Sequence, residues 1–490
     1  MVGLILPLLC LFLAQDSGAG DLEKAVKSVV EAFAAVQAEA ADPVAPDRAF
    51  YGGIIPGMLR RLDPHSVFFD PDQFEQLKQM QKSTQKGFGS IVSVLPGRVI
   101  VLQTMPGTPS AKSGIAPGDE ILAVNGYELA RFDMDQIVAI LGQSRQQPAR
   151  IDVRRPGSAR ILQFSLTPEE LQSPSVERAF HLKPGIGYVR VSSFDEKTGE
   201  QLRDAIEKLG GHSLKGLVLD LRNNPGGVMT SALESAALFL KPGASLVAVR
   251  GRAVQAKEEK VPASARPYEF PLSVLINGKS ASASEIVAGA IQDHDRGAIV
   301  GEPSYGKGLV ETVYPLSEGT GMALTTALYY TPSGRSIQKP LSSAQFGLSA
   351  TSARLNTKQE FRTDAGRTVR GGGGIEPDYL VLPDPVTRLR AVLEATGSFT
   401  SFATEYIRGR TITRDFDLTP QVLDEFRTYL AQRKIQPSVS EWSAERAFIR
   451  NRLKTEIFNL SLGVEKGDEI EAQRDPQIAR AVEVLGLPLK

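Results

Sequence analysis

The chain has 490 residues, of which 42% are hydrophobic and 23% charged, and its 56 basic residues balance 56 acidic ones to a formal net charge of zero. That length corresponds to about three domains, and the composition is that of an ordinary soluble globular protein. Balanced charge leaves no electrostatic footprint for nucleic acid or an acidic surface, so no nucleic-acid partner is expected.

Val2 to Ala14 is almost wholly apolar, but shorter than the roughly 20 residues a membrane helix needs. It reads as the hydrophobic region of a signal peptide, with Ser17-Gly18-Ala19 as a small-residue cleavage site, although no Lys or Arg precedes it. Residues 1–20 are therefore a signal peptide or a short anchor, and the protein is expected to be exported to the periplasm or cell envelope. Cys10 is the only cysteine, so the mature chain would have no disulfide.

Residues 21–85 read as a helical region. Ala25, Val26, Val29, Val30, Phe33 and Val36 form one stripe of an amphipathic helix over Asp21–Ala40. A second helical segment over Tyr51–Leu62 ends at Asp63-Pro64-His65-Ser66, where proline disfavours continuation. A polar helix is predicted over Gln73–Gln85.

Residues 86–171 read as a small β-rich unit with one good helix. The unit opens with Gly87-Phe88-Gly89-Ser90-Ile91 and has strands at Val99–Gln103, Arg150–Arg154 and Ile161–Leu166. Asp133 and Gln136 make a capping box for the helix, with Met134, Ile137, Val138 and Leu141 facing inward. The string Gly114-Ile115-Ala116-Pro117-Gly118-Asp119-Glu120-Ile121-Leu122-Ala123-Val124-Asn125-Gly126, taken with that opening loop, resembles a PDZ domain. The resemblance implies that residues 87–91 hold a peptide's C-terminal carboxylate while the peptide adds as a strand.

From residue 172 to 387 buried strands alternate with helices: strands at Gly187–Val191 and Gly216–Leu221, helices at Gly199–Leu209 and Thr230–Leu240. This pattern predicts a largely parallel sheet buried on both faces. The strand Leu272–Ile276 runs into Asn277-Gly278, and Ser280, Ser282 and Ser284 lead into a helix over Glu285–Gln292. Another strand, Ala298–Val300, precedes a glycine-rich loop carrying Lys307. Ser342–Gly374 is polar and glycine-rich and reads as an excursion loop. Residues 388–490 are charged and helical, with Asp475-Pro476 as a cap and first-turn pair.

A strand–turn–helix junction can present a serine hydroxyl beside helix N-terminal N–H groups, with a lysine folded back as its base. Any of Ser280, Ser282 and Ser284 could react or cap the helix; Ser282-Ala283-Ser284-Glu285 is itself a capping box. Two competing motifs are weaker. Gly301–Gly308 falls one residue short of a P-loop, with Gly308 where a Ser/Thr would bind magnesium and a predicted strand in place of the helix. Ser83-Thr84-Gln85-Lys86 has the serine–x–x–lysine spacing of β-lactamases, but no Lys-Thr-Gly or Ser-Asp-Asn accompanies it. His65, His181, His212 and His294 have neither metal-ligand spacing nor a G-x-S-x-G elbow, and solvated or structural roles are expected for all four.

The stretch Asn277–Glu311 resembles the core of the carboxyl-terminal processing peptidases, or tail-specific proteases. The likeness extends to Leu62-Asp63-Pro64-His65-Ser66, the PDZ segment, Asp220–Gly227, Thr325–Gln338 and Gly373–Asp378, covering roughly residues 21 to 385 in the family's order. It implies a multidomain α/β protein: a mixed α/β serine protease core with an inserted PDZ domain and helical N- and C-terminal regions. It also implies Ser282 as nucleophile and Lys307, 307 − 282 = 25 residues on, as general base. The backbone of Ala283 and of the Gly226-Gly227 turn would form the oxyanion hole. A lysine acts as a base only when neutral, which requires lowering its pKa from about 10.4. The family usually places glutamine four residues after the lysine; here that residue is Glu311, whose charge would oppose base catalysis.

The expected function is a serine endopeptidase that cleaves polypeptides near their C-termini, held through the substrate's terminal residues, with no metal or organic cofactor. The alternative is a catalytically inactive peptide-binding protein on the same fold. The C-terminal helical region would mediate self-association, dock an adaptor, or pack on its own protease domain.

Overall fold

The computed structural model describes residues 19–42, 44–82, 84–341 and 359–486. The apolar run Val2–Ala14 and Ser83 lie outside them.

A six-stranded sheet forms the centre, in the order Val176–Lys183, Ile186–Val191, Gly216–Asp220, Leu272–Ile276, Ala298–Gly301, Tyr379–Leu380. The first pair is antiparallel and every later pair parallel. Alternate residues of these strands enter two cores. Leu217, Leu219, Val274 and Ile299 pack under the helices Thr198–Lys208, Met229–Ala237 and Ala283–Asp293. Val218, Leu275 and Val300 pack with Ile478 and Ala481 of the helix Pro476–Glu483. Burial on both faces explains why these strands read as continuous apolar runs.

A second, wholly antiparallel sheet joins Val67–Phe69, Gly321–Tyr330, Ser245–Arg250 and Lys257–Lys260, with Leu309–Pro315 also paired to Gly321–Tyr330. It joins two local pairs, Ser245–Arg250 with Lys257–Lys260 and Leu309–Pro315 with Gly321–Tyr330, to each other and to Val67–Phe69 across long stretches of chain, and no local pattern announces that joining.

The β-rich unit carries the strands Ser90–Leu95, Arg98–Thr104, Glu120–Val124, Ala149–Arg154 and Ile161–Leu166 in one sheet. The capping box of its helix Met134–Ser144 forms as expected, with both the Gln136 N–H and Asp133 N–H bonds made. The inward face is narrower than expected. Ile137 is fully buried, but Met134 and Val138 are 45% and 56% exposed. A two-stranded neck, Thr84–Gly87 against Glu169–Gln172, joins this unit to the rest.

The N-terminal region departs in three details. The helix Ala19–Glu39 forms, but its apolar stripe is unburied: Val26 is 54% exposed and Val30 57%. Helical structure begins at Pro46, not Tyr51, because proline suits the first helical position. The polar helix runs from Pro71 to Gln81, capped by Asp70 with Gln73, and Gln85 belongs to the neck strand. Within Ser342–Gly374 the described part forms a hairpin, Glu360–Arg362 with Thr368–Arg370; residues 342–358 lie outside the described residues. Among the described residues the C-terminal region has six helices, Arg388–Ala395, Ser398–Tyr406, Pro420–Gln432, Val439–Leu462, Val464–Ala472 and Pro476–Glu483. Asp475 caps the last one as expected.

Candidate active site

The three serines of the Asn277–Glu285 junction separate by their hydrogen bonds. Ser280 Oγ donates to the Leu221 carbonyl (2.8 Å) and Ser284 Oγ to the Asn224 carbonyl (3.0 Å), and both residues are fully buried. They tie the junction to the neighbouring strand's C-terminal end. Ser282 is half-buried, lines a cleft of about 740 Å³ and has φ +54° and ψ −113°. A positive φ at serine is a sparsely populated conformation that surrounding contacts must hold.

Those contacts come from Glu285 and Tyr329. Glu285 Oε2 accepts from the N–H of Ser282 (2.8 Å) and of Lys307 (2.9 Å); Oε1 accepts from Gly306 N–H (2.7 Å) and Ser304 Oγ (2.5 Å). One carboxylate therefore joins the serine's backbone to the lysine's loop. Burial pushes the Glu285 carboxyl up to about 7, against the opposing pull of those four donors. The buried Tyr329 hydroxyl lies within donating distance of the Lys307 carbonyl (2.7 Å) and the Ser282 carbonyl (3.0 Å). Burial drives its pKa far upward, so it stays a donor.

Lys307 lies in the same cleft, at the entrance to the strand Leu309–Pro315. That strand, where a P-loop would have a helix, removes the phosphate-binding reading. Lys307 Nζ pairs with Glu311 at 2.8 and 2.9 Å, both side chains about one-fifth exposed (20% and 23%).

The turn Asn223–Gly227 borders the serine. Gly226 has φ +100°, and a Cβ on it would fall 2.8 Å from Ser282 Cβ and 3.0 Å from Ala283 N, so only glycine fits this close approach. The Gly226 N–H is taken by Asn224 Oδ1 (2.9 Å). Gly226 thus shapes the turn, while the Gly227 and Ala283 N–H groups make no hydrogen bond among the described residues, and both residues line the cleft.

Sequence reasoning missed His65. His181 lies on a strand, His212 lies against Tyr268 with the rings tilted and their centroids 4.7 Å apart, and His294 bonds Asp364 and the Ser245 carbonyl, each at 2.7 Å. His65 instead lines the cleft with Ser282 and Lys307. Its loop is fixed by Asp63, which accepts from the N–H of His65 (2.7 Å) and Ser66 (2.8 Å). Burial and the Lys307 ammonium hold its imidazole below the ordinary 6.5, against Glu311 and Asp63. The signal was its place in Asp63-Pro64-His65-Ser66, beside the proline that ends the helical segment.

The loop 87–91 closes the neck. Gly87 ends the strand Thr84–Gly87, Phe88 packs on the core of the β-rich unit, and Gly89 has φ +79° with Thr108 so close that a Cβ would clash. Ser90 Oγ donates to Ser110 Oγ (2.7 Å), and Ile91 pairs with Gln103. The strand Ser90–Leu95 packs beside the helix bearing exposed Met134 and Val138. Thr84 and Gln85 of the neck also line the Ser282 cleft.

A serine and a lysine facing one cleft, on a mixed α/β core with an inserted small β domain, define the class of serine peptidases with a peptide-binding module. Residues 185–343 match the model of peptidase family S41, and residues 100–155 match that of the PDZ domain. The chain is 38% identical over 299 residues to the carboxy-terminal-processing protease of Bartonella bacilliformis, covering 60% of this chain and 68% of that one. It is 29% identical over 320 residues to the carboxy-terminal processing protease CtpB of Bacillus subtilis, covering 65% of this chain and 66% of that one. Among solved structures, a photosystem II D1 C-terminal processing protease aligns with a TM-score of 0.37 and 27% identity, over 70% of this chain and 84% of that chain. The chain belongs to the carboxy-terminal processing protease family and is a serine peptidase with a PDZ domain.

Proposed function

We propose that the protein cleaves polypeptides near their C-termini, with Ser282 as nucleophile and Lys307 as general base, and that its PDZ domain captures the substrate's terminal residues. The observation that carries this reading is the division of labour among the three serines. Ser280 and Ser284 spend their hydroxyls on backbone carbonyls, while Ser282 lies in the cleft that Lys307 also lines.

The chemistry follows from serine's weakness as a nucleophile without a base. Neutral Lys307 takes the Ser282 Oγ proton as Oγ attacks the scissile carbonyl. The oxyanion receives the N–H groups of Ala283 and Gly227, each donor of this kind contributing about 3 kcal/mol. The Lys307 ammonium returns its proton to the leaving amine, and the acyl-enzyme is hydrolysed by a water that Lys307 deprotonates. No step calls on a metal or organic cofactor.

For substrate capture, the loop 87–91 would hold the terminal carboxylate and the peptide would add along Ser90–Leu95, with Met134 and Val138 offering apolar contact. The neck's place in the cleft wall supports delivery of the bound chain toward Ser282. Export to the periplasm or cell envelope belongs to the same proposal and rests on Val2–Ala14; N-terminal sequencing of fractionated protein tests it.

One observation favours the inactive peptide-binding reading: the Lys307 amine is taken up in an ion pair with Glu311. Comparing wild type with Ser282→Ala on an unstructured, C-terminally tagged protein decides between them. Wild type is expected to degrade it and S282A to leave it intact; equal degradation by both, or by neither, overturns the assignment of Ser282.

A further inference from the structure

The C-terminal helices have a core of their own, in which Leu393, Phe426, Leu430, Ile449, Leu453 and Ile457 are fully buried. Their outer surface meets two other parts of the chain. Toward the PDZ domain, Leu102 packs on that core, Gln103 Oε1 accepts from Val464 N–H (2.9 Å), and Arg98 Nη1 donates to Ser401 Oγ (2.9 Å). Toward the protease core, the helix Pro476–Glu483 covers the central sheet, and Asp475 at its start does two jobs. Asp475 Oδ1 caps the helix, accepting from the N–H of Gln477 (2.8 Å) and Ile478 (3.1 Å). Oδ2 accepts from Arg222 Nη1 (2.7 Å), which Gln477 Oε1 also accepts at 2.7 Å.

Arg222 is the last residue before the turn Asn223–Gly227. Its guanidinium is saturated on both edges: Nε and Nη2 hold Asp220 at 3.0 and 2.6 Å, and Nη1 faces Asp475 and Gln477. A planar fork gripped from two sides has no freedom to rotate. The turn continues this hold: Asn224 Nδ2 donates to the Val191 carbonyl (2.9 Å), and the Asn224 carbonyl accepts from Ala281 N–H (3.0 Å).

We propose that Asp475 is a positioning residue for the active site: acting from the C-terminal helical region through Arg222, it fixes the turn that aims the Gly227 N–H at the reacting carbonyl. This rests on the reading of Gly227 and Ala283 as oxyanion donors. It makes the C-terminal region part of the catalytic framework, as well as the mount for the PDZ domain.

The test separates capping from pairing. Asp475→Asn keeps a side-chain oxygen for the helix cap, at which Asn and Asp are equally good, and removes the charge facing Arg222. In the full-length chain, D475N is expected to lower kcat per active centre about 10- to 100-fold, less than the ~10²–10³-fold loss on deleting an oxyanion donor outright. KM for a C-terminal substrate should stay within about twofold, because the PDZ mount is untouched. Asp475→Glu keeps a carboxylate facing Arg222 while giving a poorer helix cap, and is expected to retain most of the kcat that D475N loses. Asp475→Ser, a second capping-competent substitution, should behave like D475N. Unchanged kcat in D475N and D475S, or a loss in D475E as large as in D475N, would overturn the proposal. Undiminished activity of S282A would instead overturn the site reading beneath it.

Discussion

Replacing Glu311 with glutamine removes the ionic partner of the proposed base. Lys307 Nζ sits 2.8 and 2.9 Å from the two Glu311 oxygens, with both side chains about one-fifth exposed. Two unit charges about 4 Å apart attract by about 4 kcal/mol at an effective dielectric of about 20 and by about 1 kcal/mol in bulk water. At about 1.4 kcal/mol per tenfold in rate, releasing that attraction is a factor of about 5 or more. The sign is fixed: in the proposed mechanism Lys307 Nζ must leave Glu311 to take the Ser282 Oγ proton, so the ionic contact adds to the barrier and its removal lowers it. Glu311→Gln is therefore expected to raise kcat/KM about fivefold or more at neutral pH. The assay is initial rates of the two enzymes on a fluorogenic peptide with a free C-terminus, normalised to active centres. Equal kcat/KM for the two enzymes would refute the coupling.

Three further outcomes follow from the same geometry. Gly226→Ala places a methyl 2.8 Å from Ser282 Cβ at φ +100°; it is expected to lower kcat about 10²-fold or more by displacing the donor turn, checked by kinetics beside a thermal melt. Tyr329→Phe leaves the Ser282 and Lys307 carbonyls without their shared donor and should cost about 1–3 kcal/mol in denaturant unfolding, with a fall in kcat. In Lys307→Met the nearby positive charge is gone and Glu311 is left unpaired, so the His65 imidazole should titrate at higher pH than in wild type. NMR of the His65 ring reads this, and an unmoved midpoint would show that the two groups do not interact.

Much of this was legible from local pattern. Leu272–Ile276 has the bounds expected of it because burial on both faces leaves an uninterrupted apolar run between turn residues. The box of Asp133 with Gln136 was equally plain, since both partners lie within one helical turn. What remained hidden depends on partners far away in the chain. The antiparallel sheet pairs Val67–Phe69 with Gly321–Tyr330 across some 250 residues, and no window of sequence carries that information. Ser280, Ser282 and Ser284 are indistinguishable by spacing; what separates them is two carbonyls, of Leu221 and Asn224, on another strand's end. The internal use of the Gly226 N–H had a signal, because an asparagine two residues earlier commonly turns back on the backbone.

The two sheets divide the chemistry between them. The parallel strands of the central sheet lead into Ser282 from the end of Leu272–Ile276 and into the turn Asn223–Gly227 from the end of Gly216–Asp220, whereas the antiparallel sheet carries Glu311 on the strand Leu309–Pro315, with Lys307 just before its start. Glu285 and Tyr329 bind them together at the backbone: the carboxylate takes the amides of Ser282 and Lys307, and the phenol reaches the carbonyls of the same two residues. The backbones of Ser282 and Lys307, the proposed nucleophile and base, are thus tied to each other independently of their side chains. With the two backbones held, bringing the proposed base to the proposed nucleophile falls to the Lys307 side chain, and side-chain rotations are far faster than loop or domain motions. Glu285 thus holds the backbones of the candidate nucleophile and base together while Glu311 occupies the amine of that candidate base, so in the proposed mechanism the two carboxylates act in opposite senses, one assembling the site and the other restraining it.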